Sequence, residues 1–352
     1  MNKKRSKNIY IGWDIGGANT KVSIIKSNSS SSYIYKCHLW ESLDFLKELK
    51  NHIHEKYERN FNIFNIITMS GEMCDIFLSR DKGTKEILRL FKDPNYRNYV
   101  FSSTKPFFIE LEKISNVSTI QSMNWLATAM FLETKVKNAI AVDIGSTTTD
   151  IIIIKGGKNK NKNFNDLSRL SSSELIYTGV LRTPIYALSR KISIKNNMYN
   201  IIPENFSNMS DVYKILSAID SKKDYSETCD RRSKTYKNSL RRLSRNLGFD
   251  YLPKDEKRLK EIAKKLKMIQ VKIISEKISR FLEKYFTKKD PVSFIGIGVG
   301  KFLVKEICHT NNMLYKDFNT FSGDHKGKLF LPSDIAPAYS INILFKNSNE
   351  RS

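Results

Sequence analysis

Apolar residues along the chain gather in short runs broken by polar, glycine-containing stretches, and two of these stretches have the same layout. Tyr10–Ile25 (YIGWDIGGANTKVSII) and Ala141–Gly157 (AVDIGSTTTDIIIIKGG) each read as an apolar strand, an aspartate, a tight turn with hydroxyl or amide side chains, and a second apolar strand. Between them, Ser27–Ser32 reads as a polar loop and Tyr33–Trp40 as a third strand. Leu43, Leu46, Leu49 and Ile53 recur at helical spacing, which predicts an amphipathic helix over Ser42–Tyr57. Phe64–Met69 follows as a buried strand, Asp81–Leu90 as a helix, Tyr99–Phe101 and Phe107–Leu111 as short strands, and Ser122–Lys135 as a helix. After the second hairpin, Gly156–Asn165 reads as an exposed polar connection and Asp211–Arg245 as polar and helical. Leu259, Ile262, Leu266, Ile269, Ile273, Ile278, Phe281 and Leu282 mark one long helix or a broken pair over Asp255–Phe286. Pro291–Val304 reads as strand, glycine turn and helix start, and Asp334–Leu344 as a closing helix.

A strand that ends in a turn rich in hydroxyls and backbone N–H groups makes a cradle for a phosphate chain and its metal ion. Two such hairpins suggest two similar halves facing each other across a ligand. The 352 residues suit two domains. We place the first at 1–135 and the second at 136–352, the latter with a helical insertion at about 205–290. The cluster SGEMCD, Ser70–Asp75, stands at the C-terminal end of a strand, where ligand sites of open α/β sheets lie. Leu175–Leu188 is apolar apart from Arg182, which is costly to bury unless it meets an anion such as phosphate.

Composition changes this picture little. The formal charge of +24 would suit a polyanionic partner, but the basic residues are spread along the chain among many Asn and Ile, the bias an AT-rich genome produces. No helix-turn-helix or zinc motif supports nucleic-acid binding. Four scattered cysteines (Cys37, Cys74, Cys229, Cys308) fit a reduced, cytoplasmic protein, and no apolar run approaches the roughly 20 residues that cross a bilayer. The five histidines form no motif, and no Ser-His-Asp or Cys-His set is visible.

DIGGANTK (Asp14–Lys21), DIGSTTTD (Asp143–Asp150) and GIGVG (Gly296–Gly300) resemble, in order and rough spacing, the two phosphate motifs and the adenosine-type motif of the actin, hexokinase and heat-shock ATPase superfamily. That resemblance implies an α/β fold of two ribonuclease-H-like domains, mixed sheets flanked by helices, with a cleft between them. DIGSTTTD followed by an apolar strand is similar to the hydantoinase A branch. WDIGGANTK, TMSGEMCD (Thr68–Asp75), SMNWLATA (Ser122–Ala129), YTGVLRTP (Tyr177–Pro184) and the segment Cys229–Asp250 resemble one group within it, the tetrahydromethanopterin-linked one-carbon-transfer pathway proteins, which includes a methanofuran-biosynthesis synthase.

The group implies a cytoplasmic transferase of small-molecule substrates. It would join an (aminomethyl)furanmethanol diphosphate to the phenol of tyramine or glutamyltyramine and release diphosphate. Under that resemblance Asp14 and Asp143 are the candidates to hold Mg2+ or another divalent cation. Gly16, Gly17, Asn19, Thr20 and Lys21 of the first turn, and Gly145, Ser146, Thr147, Thr148 and Thr149 of the second, would hold the diphosphate with Arg182, Gly296 and Gly298. Asp150 is open to two roles, orienting metal-bound water or accepting the phenol proton, beside a structural hydrogen bond. Glu72 would bind the aminomethyl cation or act as general base. Asn124, with Trp125, would line the aromatic pocket, and Arg231, Arg232, Arg241 and Arg242 would either close over the diphosphate or form a solvated helix face. The competing readings are an ATP-dependent small-molecule kinase or hydantoinase-like ATPase on the same fold, and a nucleotide-sensing regulator suggested by charge alone. Association into a homo-oligomer is left open.

Overall fold

A computed structural model describes residues 7–194, 197–327 and 329–350. The chain divides into two compact units. The first comprises Met1–Lys137, Ile152–Arg169 and Phe318–Ser352, and the second Asn138–Ile151 and Leu170–Asp317. Within the span expected as the second domain, 136–352, an internal segment, Ile152–Arg169, which begins inside the second strand of the second hairpin, and the last 35 residues, Phe318–Ser352, group with the first unit.

The first unit is built on β1 (Lys7–Ile15), β2 (Asn19–Lys26), β3 (Ser29–Lys36), β4 (Phe61–Met69), β5 (Arg97–Phe101) and β6 (Phe108–Glu110), in the sheet order β3-β2-β1-β4-β5-β6. β1 pairs antiparallel with β2 and parallel with β4, so β1 and β4 end side by side, with Asp14 opposite Thr68 and Ile15 opposite Met69. The serine run is not a loop. Lys26 pairs with Ser29, so only Ser27 and Asn28 turn the chain, and Ser27 takes the left-handed conformation at φ 58°. Alternate serines face the core side of a strand whose pairing partner fixes them there, a tertiary choice that overrides their low strand preference.

Helices α1 (Asp44–Tyr57), α2 (Arg80–Arg89) and α3 (Asn124–Glu133) complete this part, and the closing helix α10 (Ala336–Asn349) packs on α3, β1, β2 and β4. α10 approaches so closely that a side chain at Gly12 would stand 2.2 Å from the Ala338 carbonyl. The Asn342 amide donates to the carbonyls of Tyr10 (3.0 Å) and Ser23 (2.9 Å). Under the sheet, Trp13 and His54 both share the Asn65 Oδ1 atom, at 2.9 and 3.1 Å, and the Asn65 amide donates to Asn98. Burial of that ring pushes the His54 pKa down to about 4.

The second sheet runs β10-β8-β7-β13-β14, from β7 (Asn138–Ile144), β8 (Thr149–Lys155), β10 (Leu175–Ile176), β13 (Ser293–Ile297) and β14 (Leu314–Asp317). The short β9 (Lys158–Asn159) pairs with the end of β8, and Asn161 is buried where its side chain accepts from the Ile153 N–H at 2.9 Å, so the connection expected to be exposed is partly tied in. β7 and β13 are parallel, with Asp143 opposite Ile297. A separate hairpin of β11 (Lys191–Ile194) and β12 (Asn197–Asn200) had no sequence signal that we read. The helices are α4 (Asp166–Ser172), α5 (Ile185–Leu188), α6 (Met209–Ile215), α7 (Tyr236–Arg245), α8 (Glu256–Tyr285) and α9 (Lys301–Thr310). α8 is one unbroken helix of 30 residues, because no glycine or proline interrupts its apolar stripe. Among the described residues no helix is long and apolar enough to cross a membrane.

Candidate functional site

The two hairpin turns close in the same way. The Gly16 N–H donates to the Asn19 carbonyl at 3.1 Å, and the Gly145 N–H to the Thr148 carbonyl at 2.9 Å. In each unit the loop after the neighbouring parallel strand then braces the turn with one backbone bond: Ser70 N–H to the Ile15 carbonyl (2.9 Å), Gly300 N–H to the Ile144 carbonyl (2.9 Å). SGEMCD and GIGVG thus occupy equivalent places beside their own turns, which is why both are rich in small residues. A side chain at Gly71 would stand 3.0 Å from the Gly16 backbone. One at Gly298, whose φ is +78°, would stand 2.4 Å from the Ile144 carbonyl and 2.6 Å from Asp143 Oδ1.

In the first unit Asp14 is 2% exposed and pairs with Lys21 directly across the hairpin, Nζ to Oδ2 at 3.3 Å. The Asn124 amide reaches the other oxygen at 3.4 Å. Lys21, expected to meet the diphosphate, faces Asp14, and Asn124 stands at the start of α3 beside that carboxylate. Trp125, expected to line an aromatic pocket, is buried with the Arg169 guanidinium 4.2 Å from its ring centre. Thr20 is fully buried, whereas Gly16, Gly17 and Asn19 are partly exposed on the turn.

Glu72 departs most from expectation. It is fully buried, with Oε1 accepting from the Arg80 guanidinium at 3.0 Å and from the Ser122 hydroxyl at 2.8 Å, while Arg80 also meets Asp166 at 3.4 Å. The Oε1 atom of this enclosed carboxylate thus ties the end of β4 to α2 and to Ser122 just before α3.

In the second unit Asp143, Gly145, Ser146, Thr147, Thr148 and Asp150 are all partly exposed. Thr149 is not: it is buried, and its hydroxyl donates to the Thr178 carbonyl at 2.7 Å, which braces the turn. The segment 178–183 wraps the turn. Val180 N–H donates to the Gly145 carbonyl (3.1 Å), and Leu181 and Arg182 N–H both donate to the Ser146 carbonyl (3.1 and 2.8 Å). Arg182 is thereby fixed at the turn by its backbone, with its side chain exposed. Gly296 lies in β13 under the Tyr315 ring, and Gly298 lies against Asp143. Arg242 is buried within an ion cluster, donating to Asp211 (2.6 and 2.8 Å) and Asp230 (3.0 Å), and so cannot be part of a basic lid.

The donor set sets limits on a metal. Among the described residues no three His, Cys, Asp or Glu side chains converge, so the chain would offer Mg2+ at most one or two carboxylates, as that ion accepts when waters and phosphate oxygens complete its shell. Asp143, partly exposed beside backbone with no side chain at Gly298, fits as a hard oxygen donor. Asp14 fits less well as a direct ligand, because Lys21 already compensates its charge.

The chain thus sets two hairpin turns of one kind at the ends of two α/β sheets. In fold it is similar to the nucleotide-free acetone carboxylase structure, with a TM-score of 0.56 over 95% of this chain and 70% of that one at 8% identity. Residues 67–318 match the hydantoinase/oxoprolinase family, and the chain belongs to it. Within that family it is 30% identical over 311 residues to the (4-{4-[2-(gamma-L-glutamylamino)ethyl]phenoxymethyl}furan-2-yl)methanamine synthase of Methanocaldococcus jannaschii, covering 88% of this chain and 91% of the relative. The synthase of the same name from Methanococcus vannielii is 36% identical over 213 residues, 60% of this chain and 92% of the relative.

Proposed function

We propose that the chain is a transferase of methanofuran biosynthesis. It condenses (aminomethyl)furanmethanol diphosphate with the phenol of tyramine or glutamyltyramine, forming an aryl ether and releasing diphosphate. The observation that carries this reading is the identity with the jannaschii synthase over 88% of the chain. The chemistry suits the second turn. The C–O bond between the furfuryl carbon and diphosphate breaks, the furan ring stabilises the positive charge left on that carbon, and the phenol oxygen bonds to it and loses its proton. The demand on the protein is to hold a leaving group of growing negative charge. The hydroxyls of Ser146, Thr147 and Thr148 on a braced turn, with Arg182 beside them, are donors of the right kind.

Mg2+, when bound, would neutralise diphosphate oxygens, and Asp143 is the residue that would hold it. Asp150, partly exposed at the start of β8, is the carboxylate we assign to take the phenol proton, and Glu72, which is fully buried, is the less suited of the two. The test is direct: purified protein with Mg2+ receives the furan diphosphate with tyramine or glutamyltyramine, and separately ATP with candidate small-molecule acceptors. Ether and free diphosphate formed without ATP are expected. Turnover that requires ATP would overturn the reading in favour of the kinase or ATPase alternative.

A further inference from the structure

The buried stripe of α8 is apolar at Leu259, Ile262, Ala263, Leu266, Ile274, Ile278 and Phe281, and polar at one place, Gln270, which is 0% exposed. An amide in such a stripe is costly unless each of its groups is paired. Here they are. Nε2 donates to Thr178 Oγ1 at 2.8 Å and to the Gly179 carbonyl at 2.9 Å, and Oε1 accepts from the Tyr213 hydroxyl of α6. Burial pushes the Tyr213 phenol up, so it remains a protonated donor.

The two atoms that Gln270 grips belong to the segment that holds the second turn. The Thr178 carbonyl takes the Thr149 hydroxyl, and Gly179 lies so close to the turn that a side chain there would stand 2.5 Å from both the Ser146 carbonyl carbon and the Thr147 nitrogen. The next three N–H groups bind the carbonyls of Gly145 and Ser146. The Gly179 N–H donates to Thr183 Oγ1 (2.7 Å), and the Ser210 N–H at the start of α6 to the Leu181 carbonyl (3.2 Å). A continuous relay therefore runs from α8 and α6, through 178–183, to the backbone that aims Ser146, Thr147 and Thr148. Simple packing would be met by an apolar side chain at 270, as elsewhere along the stripe. The three paired groups fix something packing does not, namely the distance and tilt of 178–182 against α8.

We infer that Gln270 is a positioning residue for the phosphate-binding turn, acting through the Thr178–Arg182 segment. The role rests on the reading that this turn holds the diphosphate. Without the amide, 178–182 loses its anchor and the turn donors shift relative to the leaving group; a misplacement near 1 Å costs on the order of 100-fold in rate. The loss falls on kcat, because these donors matter most as charge develops on the leaving oxygens.

The experiment uses the full chain as Gln270→Met, with Tyr213→Phe/Gln270→Met as the companion that also removes the hydroxyl left unpaired. Hydrogen exchange is followed at 145–149 and 178–182, with and without inorganic diphosphate and Mg2+, beside kcat and KM for whichever phosphorylated substrate the wild type turns over. Both variants should exchange faster at 145–149 and 178–182 while β13 stays as protected as in the wild type. kcat should fall about 10- to 100-fold with KM within about threefold, and the double variant should recover melting temperature without recovering kcat. Unchanged exchange at 145–149 overturns the positioning role, as does recovery of kcat together with stability in the double variant. Failure of diphosphate to slow exchange at 145–149 in the wild type overturns the diphosphate reading instead, and the exchange comparison between wild type and variant still decides the role of Gln270.

Discussion

The two hairpin turns share a layout and differ in what they do with it. The first closes its charge internally, with Asp14 buried against Lys21 and Thr20 turned into the core. The second keeps Asp143 and its Ser-Thr-Thr run partly exposed and draws its rigidity from outside, through 178–183 and α8. Duplicated geometry does not imply duplicated chemistry. A turn that has satisfied its own charges is suited to bracing, and one held rigid by its surroundings can leave its donors for a ligand.

Substitutions should separate the turns by effect. The largest expected change is Asp143→Asn, which should lower turnover on the order of 10³-fold with an unchanged circular dichroism spectrum and melting temperature; a fully active variant would remove Asp143 from the site. Asp14→Asn should instead show a melting-temperature loss, about 1–2 kcal/mol for a pair whose lysine is partly solvated. Next, Gly298→Ala should destabilise by about 3 kcal/mol, since it combines a left-handed backbone with contact against the Ile144 carbonyl. Gly17→Ala should cost far less in urea titration, because its new methyl would meet the Cys74 thiol, the end of a side chain that can move.

Acid sharpens the contrast between the units. His54 of the first unit is buried neutral with its pKa lowered to about 4 from an ordinary 6.5. Between those values the unfolded chain binds the extra proton and the folded one does not, so stability falls as pH drops from 6.5 to 4, by about 3 kcal/mol. Chemical denaturation at pH 7 and pH 4.5 should show that slope, and His54→Leu should flatten it. The smallest effect is Thr149→Val, a loss of about 1 kcal/mol from the bond to Thr178, read as a modest drop in melting temperature.

Both hairpins, the long helix and the strand–glycine–helix unit at 291–304 were legible because each is a local pattern: period in α8, turn chemistry at Gly16 and Gly145. The site was legible in part for the same reason. Asp143, Ser146 and Thr147 stand where the turn puts them. The enclosure of Glu72 and Arg242 was not legible because their partners, Ser122 and Asp211, are 50 and 31 residues away and no spacing announces such pairs. Gln270 was missed because one amide in an apolar stripe carries no signal until its neighbours Thr178 and Gly179 are in place. β14 and the β11–β12 hairpin are too short to show a period.

The fit of α10 over Gly12 has a consequence for how the chain is made. Synthesis delivers β1–β6 first and α10 last, with the second unit emerging between them. Until the ribosome has released Ala338 and Asn342, the Tyr10 and Ser23 carbonyls lack their amide donor and one apolar face of the first sheet lacks its cover. The second unit is thus the earlier of the two to have all its parts, and the first has all of its own only once α10 has been made.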